Sequence, residues 1–342
     1  MSDELLPYYN RELAFFRRTA ADFAATHPKI AQRLQIGDTG DTQDPHVGRL
    51  IEAFAYLNAR TRHKIDDEFP EITDALLGVL YPHYLAPIPS CAVVECVFDQ
   101  SQGDPAGGYR LASGTEIESE PIEGEPCRFR TAYPVTLWPI EVTSASILGR
   151  PYAAPSVPRS TEAVAVLRLE LTCTSTELTF SRLPLETLRF YLHGQPLHVY
   201  DLYQLLHVNV LNVALATGSA DTQPVILGKQ AVCPVGFERD EGLLPYSARS
   251  FLGYRLLTEY FSFPEKFLFF DLAGLSPKNL SGIGHKLEVY FYLDRSSSDL
   301  EQNIRGGSFR LGCTPMVNLF RQRAEPIRLS QRMPEYRVVP DA

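Results

Sequence analysis

The sequence predicts an α+β protein, with N-terminal amphipathic helices followed by mainly antiparallel β domains and a few inserted helices. Three observations predict it. Apolar residues return at helical spacing up to about residue 85, the period then changes to two, and Gly and Pro cluster between the later alternating runs without a parallel βαβα order.

In the first helix Leu13, Phe16, Ala20 and Phe23 fall on one stripe, and Pro28 closes it. The second helix has a sharper start: Asp44 supplies an N-cap acceptor, and Pro45 takes the first helical position, where a missing N–H costs nothing. From there Val47, Leu50, Ile51, Phe54, Leu57, Thr61 and Ile65 trace one face, while Arg49, Glu52, Arg60 and Lys64 lie mostly away from it. Such a helix needs a partner. A third stretch around Ile72, Leu76, Leu77 and Leu80 runs until Pro82, Pro87 and Pro89 forbid further helix.

Strands follow at Cys91–Val97, through Tyr133–Val142 and at Ala165–Cys173, with turns at Gly107–Gly108, Pro151–Pro158 and Gly218. Val199, Leu202, Tyr203 and Leu206 have helical spacing after Gly194 and Pro196, and a second inserted helix covers Ala248–Tyr260. Lys266–Leu272, Lys286–Leu293 and Met316–Phe320 read as strands, the first two rich in aromatic residues. A length of 342 residues suits two or three domains. The expected division is 1–86 (helical), 87–221 (β-rich, with a short helix near 199–207) and 222–342 (a second α+β domain).

A net charge of −9 argues against a nucleic-acid partner, because neutralising phosphates needs a concentrated stripe of Lys and Arg. Basic pairs such as Arg17 and Arg18 lie a turn from acids and read as solvated helix faces. The six cysteines form no CxxC pair, and buried free thiols are the expectation. The first residues carry Asp3 and Glu4 instead of a secretory leader, and no apolar run approaches the roughly 20 residues that span a bilayer. The expected location is cytoplasmic, without membrane insertion.

No catalytic, cofactor-binding or metal-binding residues emerge. Gly282, Gly284, His285 and Lys286 lack the spacing and the hydroxyl of a phosphate-binding loop. His193 and His198 stand on either side of a turn at Gly194 and Pro196, and Asp38, Asp41 and Asp44 lack the alternating oxygens of a calcium loop. There is no G-x-S-x-G and no HExxH. Asp240 with Glu241, or Asp66, Asp67 and Glu68, could serve a glycosidase only if folding set two carboxyls about 5 to 10 Å apart, and surface charge is the simpler reading.

Whole phrases of the chain resemble the TssF (VasA/ImpG) family of type VI secretion baseplate proteins. They include Tyr8-Tyr9-Asn10-Arg11-Glu12-Leu13, the Pro28-Lys29-Ile30-Ala31 stretch, Asp67-Glu68-Phe69-Pro70, Tyr81-Pro82-His83-Tyr84 and Tyr133-Pro134-Val135-Thr136-Leu137-Trp138-Pro139. The later half is the most specific: Gly236-Phe237, Asp240-Glu241-Gly242-Leu243-Leu244-Pro245, Gly253-Tyr254-Arg255-Leu256-Leu257, Glu259-Tyr260-Phe261, Phe263-Pro264-Glu265-Lys266-Phe267 and Arg310-Leu311-Gly312-Cys313-Thr314-Pro315. Members of that family are usually much longer, so the resemblance implies an N-terminal part, with its last domain truncated.

The resemblance implies a structural wedge subunit and no enzyme. Two TssF copies would join one TssG, then meet TssK and TssE around the VgrG spike to initiate sheath assembly, in a baseplate docked at the inner-membrane secretion complex. Tyr8, Tyr9, Leu13, Phe16 and Phe23 could face TssG in a shared bundle, or pack on helix 45–65 of the same chain; both readings stay open. Tyr260, Phe261 and Phe263 belong to an aromatic run that suits either interface anchors or core packing, and Pro264 should divide that run between two elements. Arg255 beside Glu259 suggests a helical ion pair worth about 0.2–0.5 kcal/mol. The competing class is a β-rich carbohydrate-binding or glycoside-processing protein, which would need an exposed aromatic platform beside two facing carboxylates, one with a raised pKa.

Overall fold

The computed structural model describes residues 4–37, 39–68, 70–97, 105–122, 124–246, 251–330 and 336–341. Asp38, Phe69 and the expected helix start at Ala248 lie outside the described residues. The chain forms two compact units, Met1–Pro87 and Ile88–Ala342.

The first unit is helical: α1 (Leu6–Thr26), α2 (Pro28–Arg33), α3 (Pro45–Glu68) and α4 (Pro70–Leu80). Pro28 ends one helix and also opens the next, because the first helical position asks for no N–H. Asp44 caps α3 as expected, its Oδ1 accepting from the His46 N–H at 2.8 Å. Helices α1 and α3 run antiparallel. Asn58 Nδ2 donates to the buried Glu12 carboxylate at 2.6 Å, Phe54 meets Phe16 edge-on at 5.8 Å, and Tyr8 meets His63 at 5.2 Å. The small residues Ala55 and Ala59 are fully buried on α3.

The second unit begins with strands β1 (Cys91–Glu95), β2 (Tyr109–Leu111), β3 (Glu116–Ile122), β4 (Glu125–Thr131), β5 (Val135–Leu137), β6 (Ile140–Gly149), β7 (Ala165–Cys173) and β8 (Thr187–Leu192), followed by helix α5 (Pro196–Val208). Then come β9 (Val210–Ala216), β10 (Val225–Ile226), β11 (Val232–Pro234), α6 (Leu252–Ser262), β12 (Phe269–Ala273), β13 (Lys286–Leu293), α7 (Ser298–Asn303), β14 (Phe309–Arg310) and β15 (Cys313–Val317). The sheet orders are β1-β15-β4-β3, β10-β9-β13-β7-β6, β11-β12-β8-β14 and β2-β5, with antiparallel pairing throughout. The cut expected near residue 222 falls inside this unit, whose sheets interleave strands from both sides of it.

Strand β13 is central in its sheet and buried on both faces. Leu287, Val289, Phe291 and Leu293 enter the main core, while Tyr290 and Tyr292 join a smaller cluster with Val166 and Ala214. The Pro151–Pro158 stretch, expected as a turn, covers that second face: Tyr292 donates to the Pro155 carbonyl at 2.6 Å and Asn212 to that of Pro158 at 3.1 Å. Full burial of each large apolar side chain here is worth about 1.5–3 kcal/mol.

Other details depart from the sequence reading. Tyr133–Val142 divides at Trp138–Pro139 into β5 and β6, since Pro139 has no N–H for a ladder. The strand expected from Lys266 begins at Phe269, after a 3₁₀ turn over Pro264–Phe267. The last strand is Cys313–Val317 rather than Met316–Phe320. All six cysteines are free, but Cys127 is exposed, and only Cys173 and Cys313 are fully buried.

Candidate partner interface

Helix α6 inverts the usual amphipathic arrangement. Its only charged residues, Arg255 and Glu259, face inward at 4% and 1% exposure, while Tyr254, Leu257, Tyr260 and Phe261 face out at 51%, 57%, 52% and 80%. Burying charge is tolerable only where each group is paired and hydrogen-bonded, and here the surroundings provide both. Arg255 donates from Nη1 to the Arg239 carbonyl and from Nη2 to the Glu238 carbonyl, both at 2.8 Å. A Cβ on Gly242 would stand 2.8 Å from that guanidinium, so the loop approaches closely because residue 242 is glycine.

Glu259 accepts from the Leu243 and Leu244 N–H groups at 2.8 and 3.1 Å, and its second oxygen accepts from Lys266 Nζ. The expected Arg255–Glu259 ion pair is present at 3.9 Å, too long for a hydrogen bond, and is the weakest link of this cluster. Lys266 is fully buried; burial pulls its pKa down, and Glu259 opposes that pull. The Tyr133 hydroxyl donates to the Lys266 carbonyl at 3.1 Å, and burial pushes that hydroxyl far above the usual tyrosine range.

A second ion group lies beside the first. Arg189 binds Asp271 through Nε and Nη2 at 2.7 and 2.8 Å, stands 3.6 Å from Glu241, and lies 5.5 Å from the Tyr133 ring centroid. Glu241 also accepts from the Gly236 N–H at 2.6 Å. The surface-charge reading of Glu241 is therefore corrected: it is a paired residue that holds the turn at Gly236 and Glu238 through their N–H groups.

The aromatic run divides at Pro264. Tyr260 and Phe261 stand exposed on α6 and Phe263 is half-buried, whereas Phe267, Phe269 and Phe270 enter the core. In the helical unit Tyr8, Tyr9, Leu13, Phe16 and Phe23 are all half-buried. The larger apolar exposure there belongs to α3 and α4: Leu50 is 70% exposed, Leu57 57% and Val79 79%. Helix α1 covers one flank of the α3 stripe, where Phe54 meets Phe16, and leaves Leu50 and Leu57 uncovered.

The carbohydrate reading finds no supporting geometry among the described residues. The carboxylates with altered pKa, Glu162, Asp221 and Glu288, all lie below the ordinary value, where a glycosidase acid needs to lie above it. Glu288 and Glu170 do face each other across β13 and β7, but Arg168 and Lys286 bridge both. No cluster of three His, Cys, Asp or Glu among the described residues could hold a metal, and no helix there is long and apolar enough to cross a membrane.

Comparison with known proteins gives a consistent result. The family model described as "Type VI secretion system, TssF" matches residues 1–342. A Pseudomonas aeruginosa protein, type VI secretion system component TssF1, is 39% identical over 349 residues, covering 100% of this chain and 55% of that protein. The chain thus spans about half the length of the curated relative it matches. A chain in the cryo-electron microscopy structure of the type VI secretion TssK–TssF–TssG baseplate subcomplex superposes with a TM-score of 0.65 at 29% identity, covering 86% of this chain and 53% of that one.

Proposed function

Since the chain belongs to the TssF family of type VI secretion proteins, we propose that it acts as a structural subunit of the baseplate wedge and carries no catalytic activity. In this reading it assembles with TssG and TssK, two copies of this chain to one TssG, and meets TssE around the VgrG spike to start sheath polymerisation and contraction. The baseplate would stand in the cytoplasm, docked at the inner-membrane secretion complex.

The observation that supports this reading most is the disposition of α6. A helix that turns its two charges inward onto a dedicated set of partners, and its aromatic side chains outward, is built to meet another surface. The exposed apolar stripe of α3 supports the same reading from the helical unit.

The test is co-expression of the tagged chain with TssG from the same gene cluster, with complex mass measured by light scattering after size exclusion. A stable complex with two copies per TssG supports the wedge reading. Failure to bind, for both this chain and a full-length relative run in parallel, would overturn it.

A further inference from the structure

Just past the C-terminal end of α6 lies a cavity of about 340 Å³, lined by Cys91, Tyr191, His193, Phe263, Glu265 and Arg310 among others. Its charges do not balance. Arg310 is taken by Glu95 at 3.0 Å, and burial, followed by Arg310, pulls His193 below its ordinary pKa and so keeps it neutral. The half-buried Glu265 carboxylate has no ion-pair or hydrogen-bond partner among the described residues. Tyr200 extends the patch from α5: it is 44% exposed, and after burial the nearby Glu265 and Tyr260 raise its hydroxyl pKa.

An apolar ridge with one uncompensated carboxylate at its foot selects for a cation carried on an apolar surface. Tyr254, Leu257 and Phe261 recur at intervals of three or four along α6, the spacing of a ridge that seats a second helix. Extending the assembly reading, on which this rests, we propose that α6 and the adjoining cavity dock an amphipathic helix of a partner protein. A Lys or Arg of that helix would seat against Glu265, with its apolar neighbours on Tyr260 and Phe261.

Overlapping fluorescent peptides of helical length, covering TssG and TssK, are titrated with the chain and followed by anisotropy. The expected binder carries a Lys or Arg flanked by apolar residues three or four positions away. Glu265→Lys should weaken it about tenfold, and reversing the peptide's cation to Glu should restore binding to that variant. Phe261→Asp should weaken it as much without changing the melting temperature, since the side chain is 80% exposed.

Absence of any binding peptide, or binding indifferent to both substitutions, overturns the proposal. Self-association of the chain that Phe261→Asp abolishes overturns it too, giving the face to a second copy. Co-purification with TssG and TssK separates the two levels: if the complex forms while the docking tests fail, the assembly reading stands and the docking site falls. If the unaltered chain and its full-length relative both fail to form the complex, the assembly reading itself fails.

Discussion

The Glu259 carboxylate and the Lys266 ammonium meet inside the protein, at 1% and 0% exposure, and join helix α6 to the turn that leads into β12. Removing Lys266 leaves the buried Glu259 carboxylate with two backbone N–H groups and with Arg255 at 3.9 Å, but with no cation in hydrogen-bond contact. Lys266→Met is therefore expected to cost about 3–5 kcal/mol in urea unfolding. The double variant Glu259→Leu, Lys266→Met should be no more stable than the single one, because it leaves the Leu243 and Leu244 N–H groups without an acceptor, at about 1–3 kcal/mol each, and the buried Arg255 without its carboxylate. A single variant within about 1 kcal/mol of the parent would mean the pair does not hold α6 in place.

The helical unit has its own fixed point at Gly40. Its φ is +76°, and a Cβ there would fall 1.8 Å from the Arg17 carbonyl oxygen, so the loop before α3 presses directly on the backbone of α1. Gly40→Ala combines left-handed strain with a backbone clash and should cost at least about 1–3 kcal/mol. Limited proteolysis should then cut the chain before α3 faster, while Gly78→Ala, which has nothing within 4 Å, leaves the rate unchanged or slower.

Much of this fold was legible because local signals agreed with tertiary ones. Strands β7 and β13 were read with their observed bounds, since their β-branched, leucine and aromatic residues have one pleated use, and Asp44-Pro45 announced α3 by cap chemistry alone. The α6 interface was not legible in the same way. Arg255 and Glu259 at i and i+4 read as a weak helical ion pair, and nothing local reveals that two carbonyls and two N–H groups from residues 238–244 meet them inside. A usable signal was present in the composition of the helix: from Leu252 to Ser262 its only two charges lie on one face, opposite a glycine-bearing loop, with aromatic residues on the other. Glu241 and Lys266 were hidden for the same reason, because a buried ion group is defined by partners distant in sequence.

Stability should also depend on pH through His207 at the end of α5. Its Nε2 is buried without a hydrogen-bond partner and its ring lies 4.2 Å from that of Tyr203. Burial lowers its pKa from 6.5 to about 4. Between those values the unfolded chain binds a proton that the folded chain refuses, so stability falls as pH drops through this window, with no contribution from His207 above it. In a series of thermal melts, His207→Phe should flatten the slope between about pH 6.5 and 4. An unchanged slope in the variant would assign the acid sensitivity to other groups.

The exposed stripe of α3 carries the last prediction. Leu50 and Leu57 are 70% and 57% exposed, whereas α3 meets α1 through Phe54, Asn58 and His63. Replacing both with Glu adds charge at two exposed positions, so unfolding free energy should change by no more than about 0.5 kcal/mol per site. The same change puts two carboxylates into any helix packed on that stripe, where desolvation makes them prohibitive. Loss of co-purification with TssG, at unchanged helicity and melting temperature, is the expected result. If the double variant still binds TssG with the same complex mass, the partner must be held by other surfaces, and the exposed stripe of α3 is not where the wedge closes.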